Sequence, residues 1–86
     1  MPQISQFYGI IITMYYNDHV PPHFHARYAE YKAEYAIADG APLAGRLPRR
    51  AETLVLDWLA IHRAELLANW DAMRDDQAPQ RIDPLP

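Results

Sequence analysis

The sequence predicts an α+β fold in which a three- to four-stranded antiparallel meander is covered on its apolar face by one long C-terminal helix. Three observations carry that expectation. The first half is dense in β-branched and aromatic residues punctuated by turn residues, the stretch from Arg49 to about Arg74 contains neither proline nor glycine, and 86 residues suffice for one core. A single α+β domain is expected over residues 1–76, followed by a Pro-rich extended tail over 77–86.

Ile4 to Tyr16 has two alternating sets of side chains, both fairly apolar, and reads as one central strand. Asn17-Asp18-His19 is turn chemistry, and Pro21-Pro22 fixes two φ angles while removing two backbone donors, so the chain must break there. From His23 onward a single straight strand would mix His23, His25 and Arg27 with Tyr31, Tyr35 and Ile37 on one face. A hairpin turning at Ala29-Glu30 sorts these residues better. It pairs Tyr28 with Tyr31, Ala26 with Ala33 and Phe24 with Tyr35 on an apolar face, and leaves His23, His25, Arg27, Lys32 and Glu34 on the other, pointing away from the helix. Ala-Glu lacks the glycine or asparagine usual in such a turn. Asp39-Gly40 closes the next turn, and Leu43 to Leu47 supplies a short further strand.

Pro48 suits the start of the helix. At about 100° per residue, Leu54, Val55, Trp58, Leu59, Ile61, Leu66 and Trp70 form its apolar stripe. His62 lies on that stripe as a core or boundary ring. Leu56 and Leu67 fall at its edge or beyond, and with Arg49 and Arg50 at the helix flank they are the candidate partner-binding residues. The tail QAPQRIDPLP is extended, either loose or laid along the body.

Composition bounds the function. With no cysteine, disulfides and thiolate metal sites are excluded. Eight Lys plus Arg against eleven Asp plus Glu give a net charge of −3, so nucleic-acid binding is not indicated by charge. Gly9 to Met14 is the longest apolar run and is too short to span a bilayer, and no basic segment precedes it. A soluble, cytoplasmic protein is expected, with no membrane partner.

Chemistry concentrates in NDHVPPHFH, residues 17–25. Imidazoles at i and i+2 of a strand project to one side, so His23 and His25 can approach one ion together, with His19 or Asp18 reaching in from the turn. Such nitrogen and oxygen donors suit a divalent transition metal such as Zn, or Ni, Mn or Fe(II). His19, His23 and His25 are the candidate metal ligands. Without a metal, His19, Asp18 and Arg27 are the catalytic candidates: histidine titrates near neutral pH, Asp18 orients an imidazole, and Arg27 or Lys32 stabilises an anion such as a phosphate. The alternative is a corner whose rings simply cap backbone groups. No cysteine is present and Ser5, the only serine, has no signature around it, so covalent catalysis finds no support.

MPQISQFYGIIITMYYNDHVPPHFHARY, followed by LPRRAETLVLDWLAIHRAELLANW, resembles the bacterial family called domain of unknown function 4160, over nearly the whole chain. The most specific elements are the N/D-H-x-P-P-H-F-H segment and the Leu-Pro-Arg-Arg entry to a helix bearing Trp and His. The resemblance implies a bacterial context and pairing with the product of an adjacent gene of the domain of unknown function 2442 family, in a toxin-antitoxin-like two-gene unit. It assigns no catalytic residue. Two function classes follow: a protein-interaction or regulatory module of such a unit, with a homodimer as a further expectation, and a small metal- or His-dependent hydrolase or ribonuclease acting through the His-rich segment.

Overall fold

The computed structural model describes residues 2–16 and 18–86; Asn17, which the sequence places in the turn, lies outside the described residues. Among the described residues five strands, β1 (Gln3–Phe7), β2 (Ile10–Thr13), β3 (His23–Tyr28), β4 (Tyr31–Ala36) and β5 (Pro42–Gly45), precede a single helix, α1 (Arg49–Arg74). They form one antiparallel sheet in the order β1-β2-β3-β4-β5, a meander throughout.

The strand count exceeds the expected three to four because Ile4 to Tyr16 is a hairpin and not one strand. Tyr8 and Gly9 take φ angles of 48° and 79°, and Phe7 pairs with Ile10 across them. Two successive left-handed residues make the two-residue turn whose twist matches that of paired strands. Burial alternates on β2, with Ile10 and Ile12 inside and Ile11 and Thr13 half-buried on the opposite face.

The second hairpin has the expected register: Tyr28 with Tyr31, Arg27 with Lys32, Ala26 with Ala33, His25 with Glu34 and Phe24 with Tyr35. Ala29 supplies the positive φ of 52° at its turn. The next turn is closed by Gly40, φ 74°, whose N–H donates to Ala36 O at 2.8 Å. Gly45 on β5, φ 63°, is held against the backbone carbonyl of Lys32, a contact no Cβ could share.

Pro48 stands at the N-terminal boundary of α1. The helix lays Val55, Trp58, Leu59, Leu66 and Trp70 on a core completed by Ile4, Ile12, Phe24 and Tyr35 from the sheet. Ile61 departs from the expected stripe and is 59% exposed. The buried face runs through Ala51, Val55, His62, Asn69 and Met73, and at 100° per residue its centre lies roughly 120° around the helix from Ile61. His62, buried beside the Trp58 ring at 5.6 Å, is where the helix kinks, with φ −115° and ψ 19°. No helix among the described residues is long and apolar enough to cross a membrane.

Of the two expected placements of the tail, the chain adopts the second. The Asn69 amide makes a reciprocal pair with the Gln80 backbone, donating from Nδ2 to O and accepting at Oδ1, both at 2.8 Å. Ile82 is buried and its N–H donates to Ile4 O at 2.8 Å, while the Trp58 indole donates to Asp83 O at 2.9 Å. The tail thereby shields one side of the core.

A polar clasp ties the sheet to the helix start. The Glu52 carboxylate accepts the Tyr35 hydroxyl at 2.7 Å and two guanidinium bonds from Arg46 at 2.9 and 2.7 Å. The Arg46 bonds, helped by Tyr35 and opposed by desolvation, hold Glu52 below the usual carboxylate range, and burial together with Glu52 pushes the Tyr35 phenol up. A depressed carboxylate stabilises the fold above its ordinary pKa and loses that contribution as pH falls through the lowered value. Glu52→Gln is therefore expected to cost about 1–2 kcal/mol at neutral pH. In thermal melts the gap between variant and wild type should close below the ordinary glutamate pKa; a gap constant down to strong acid would contradict this linkage.

Candidate functional site

The site is built on the first residues of β3. His23 and His25 are separated by one residue and turn the same way. The preceding corner, whose Val20–Pro21 peptide is cis, is fastened to the sheet where the Ile37 N–H donates to Pro22 O at 3.0 Å. Before the corner, the chain returns Asp18 to the strand. Both imidazole Nε2 atoms converge on Asp18 Oδ2, that of His23 at 2.9 Å and that of His25 at 3.0 Å. Asp18 Oδ1 takes the backbone N–H of its neighbour His19 at 3.0 Å, with His19 Nδ1 at 3.1 Å.

Sheet pairing supplies a fifth member. Glu34 stands opposite His25 and places Oε1 3.4 Å from His23 Nε2. The rings are contiguous: His19 to His23 at 4.8 Å, His23 to His25 at 5.1 Å, and Tyr15 edge-on to His25 at 4.5 Å.

His23 lies deeper than the sequence suggests. It shares the side of the strand with His25 but is covered, only 1% exposed, with the α1 residue Trp70 5.4 Å from its ring. As the first residue of β3 it sits at the end of the sheet, where the Asp18 segment and the last turns of α1, with Trp70 and Met73, come together. His25 stays part-exposed and His19 is largely in solvent, at 27% and 70% of side-chain area.

The hydrogen bonds around His23 determine its chemistry. Nδ1 is 2.8 Å from Pro21 O, and a carbonyl only accepts, so Nδ1 carries the proton. Nε2 faces two carboxylate oxygens, close to Asp18 but without the alignment of a hydrogen bond. It is one of the buried polar side-chain atoms without a partner among the described residues, with Ser5 Oγ and Trp70 Nε1.

Asp18 shows the same field from the other side. Desolvation disfavours its charge, but the hydrogen bond with His25, the His19 N–H and the nearby His23 and His25 rings outweigh it and hold the carboxyl below its usual range. Asp18 stays an anion within reach of three imidazoles.

Two groups of donor atoms, each within 4.8 Å of one another, could hold a metal ion: Asp18-His23-His25 and His19-His23-Glu34. All three expected ligands, His19, His23 and His25, lie in this cluster, and Asp18 joins them. Glu34 carries no donor signal in the sequence beyond the hairpin register, which sets it opposite His25. Trp70 as the wall behind His23 had no local signal. His62 stands apart, bonded through Nδ1 to Glu65 at 2.6 Å.

The remaining candidates are elsewhere. Arg27 follows His25 on β3, exposed on the open face, outside the two donor groups. Arg49 and Arg50 are exposed in the first turn of α1, and Leu56 and Leu67 are 36% and 39% exposed along it. The third arginine near them, Arg46, is engaged with Glu52.

The family model described as Domain of unknown function (DUF4160) matches residues 9–71, which include the β2–β5 sheet, the whole His-Asp cluster and most of α1. The chain belongs to this family. No curated protein and no solved structure matches the chain. Within the DUF4160 segment the Pro-Pro corner thus delivers His23 to the cluster with its Nδ1 side already occupied.

That tautomer has a direct readout. Long-range nitrogen–proton correlation spectra of metal-free protein are expected to show His23 protonated at Nδ1; a ring protonated at Nε2 alone would contradict the bond to Pro21.

Proposed function

We propose that the protein is a small metal-dependent hydrolase that holds a divalent transition-metal ion such as Zn with Asp18, His23 and His25. The observation that carries the reading is the His23 imidazole: fully buried, committed at Nδ1 to a backbone carbonyl, and presenting an unbonded Nε2 to Asp18 Oδ2 at 2.9 Å. A carbonyl on the distal nitrogen is the usual support of a metal-ligating histidine, since it sets the tautomer and aims the other nitrogen.

The spacing supports the reading in magnitude. Zn bonds of roughly 2.0–2.1 Å in a tetrahedron set ligand atoms about 3.3 Å apart. Asp18 Oδ2 lies 2.9 and 3.0 Å from the two Nε2 atoms, so an ion between them asks for a few tenths of an ångström of spreading. Two imidazoles and a carboxylate suit Zn, Ni, Mn or Fe(II), and three protein ligands leave a position open. An ion in such a site acidifies bound water toward neutral pH, the chemistry of hydrolysis. In this reading Glu34 beside His23, and His19 at the solvent side, take or give the proton. Arg27, farther along β3, is the cation for an anionic substrate.

The reading is tested on untagged protein by elemental analysis, with an expected stoichiometry of about one ion per chain after reconstitution. His23→Ala/His25→Ala should lower metal affinity by at least a hundredfold. Failure to bind any of Zn, Mn, Ni and Fe(II) sinks the proposal.

A second reading, a protein-interaction module of a toxin-antitoxin-like two-gene unit, is favoured by one surface feature. At 100° per residue, Arg49, Leu56 and Leu67 fall on one line of α1, all exposed and outside the core. With Arg50 beside it, this stripe offers apolar contact and positive charge to a partner, either the adjacent gene product of the domain of unknown function 2442 family or a second copy of the chain. Co-expression should give a complex that survives gel filtration and is lost in Leu56→Asp/Leu67→Asp. Separate elution of both proteins as monomers removes this reading.

A further inference from the structure

We infer that the open face of the sheet is a binding groove for a small phosphorylated molecule, its phosphate held between Arg27 and Lys32 and its body lying toward His25. The assignment of the His25 end as the reacting end rests on the metal reading above; the anion site itself rests on the sheet alone.

The register organises this face into two rows. Ile11, Arg27 and Lys32 pair across β2, β3 and β4 in one row, and Thr13, His25 and Glu34 pair in the next. The rows are two residues apart along each strand, about 7 Å. Together they line a groove of about 480 Å³ on the face away from α1. That is the size of pocket that accepts a nucleotide-sized ligand. Ala44 and Gly45 of β5, with little or no side chain, keep its far side open.

The charge pattern names the ligand. Arg27 and Lys32 are directly opposite on neighbouring strands, an arrangement of like charges that costs stability. Among the described residues neither forms an ion pair. Glu34, the carboxylate in the groove lining, reaches into the cluster toward His23 at 3.4 Å instead. Two uncompensated cations over a part-apolar floor complement a dianion better than a monoanion. A phosphate monoester carries close to two charges at neutral pH and accepts from both donors, whereas a carboxylate carries one. The patch is confined to two cations on a chain of net charge −3, so a long polyanion gains nothing beyond this point and is repelled elsewhere.

The test separates the groove from the metal. Calorimetry and amide-shift titrations use metal-free protein in chelator, with phenyl phosphate, benzoate and a single-stranded oligonucleotide as probes. Phenyl phosphate is expected to bind, with shifts on β2, β3 and β4. Arg27→Gln/Lys32→Gln should weaken it at least tenfold while leaving the melting temperature no lower and Zn uptake unchanged. No binding, or binding indifferent to the double variant, overturns the groove even where Zn uptake is intact. Benzoate binding as tightly overturns the phosphate assignment, and an oligonucleotide binding more tightly overturns the small-molecule assignment. Phenyl phosphate binding without Zn uptake upholds the anion site and removes the metal reading instead.

Discussion

The pairing of β3 with β4 is the constraint on which the rest of the molecule depends. Side chains alternate along a strand, so a slip of one residue would send Phe24 and Ala26 to solvent and bring His25 and Arg27 under the helix. Apolar burial opposes that slip strongly. Phe24 and Tyr35 are fully buried, with the Phe24 ring 5.8 Å from Trp58. Residues of this size each contribute on the order of 1.5–3 kcal/mol when buried. The same pairing sets Glu34 opposite His25 and Lys32 opposite Arg27. One register therefore builds the core on one side and both polar rows on the other.

Around that sheet the chain spends its polar groups on attachment. The Glu52 clasp fixes the start of α1 to β4, the Asn69 pair fixes its later turns to the tail, and Ile82 carries the tail to β1. These bonds hold Trp70 in place, and Trp70 is the wall against which the His23 ring rests. The burial of His23 is thus a consequence of tertiary packing, while the partners of its ring nitrogens, Pro21 and Asp18, are local.

This division explains what was legible beforehand. The β3–β4 hairpin could be read because only one pairing sorts polar from apolar residues, and the helix limits because Pro48 and a long run free of proline and glycine mark them. The Tyr8-Gly9 turn could not, since residues on both sides of it are apolar in either phase and a turn inserted there alters no pattern; Gly9 was its sole trace. Ile61 was placed on the stripe by its chemistry, while the actual buried face recruits Asn69 and Met73. Within the site, the grouping of His19, His23 and His25 with Asp18 was visible as a local excess of donors. The depth of His23 was not, because nothing near it in sequence announces Trp70.

Energetics bears on whether the cluster is more than a plain corner. A domain of this size has a net stability on the order of 5–15 kcal/mol, and an unsatisfied buried polar atom costs about 1–3 kcal/mol of it. Capping the Pro21 carbonyl accounts for His23 Nδ1 and leaves Nε2 beside two carboxylate oxygens without an aligned hydrogen bond. In the metal reading proposed above, a cation bound only by the folded chain would offset that cost, because occupancy adds stability by mass action. On that proposal the corner, the buried imidazole and the depressed Asp18 carboxyl form one arrangement for holding an ion.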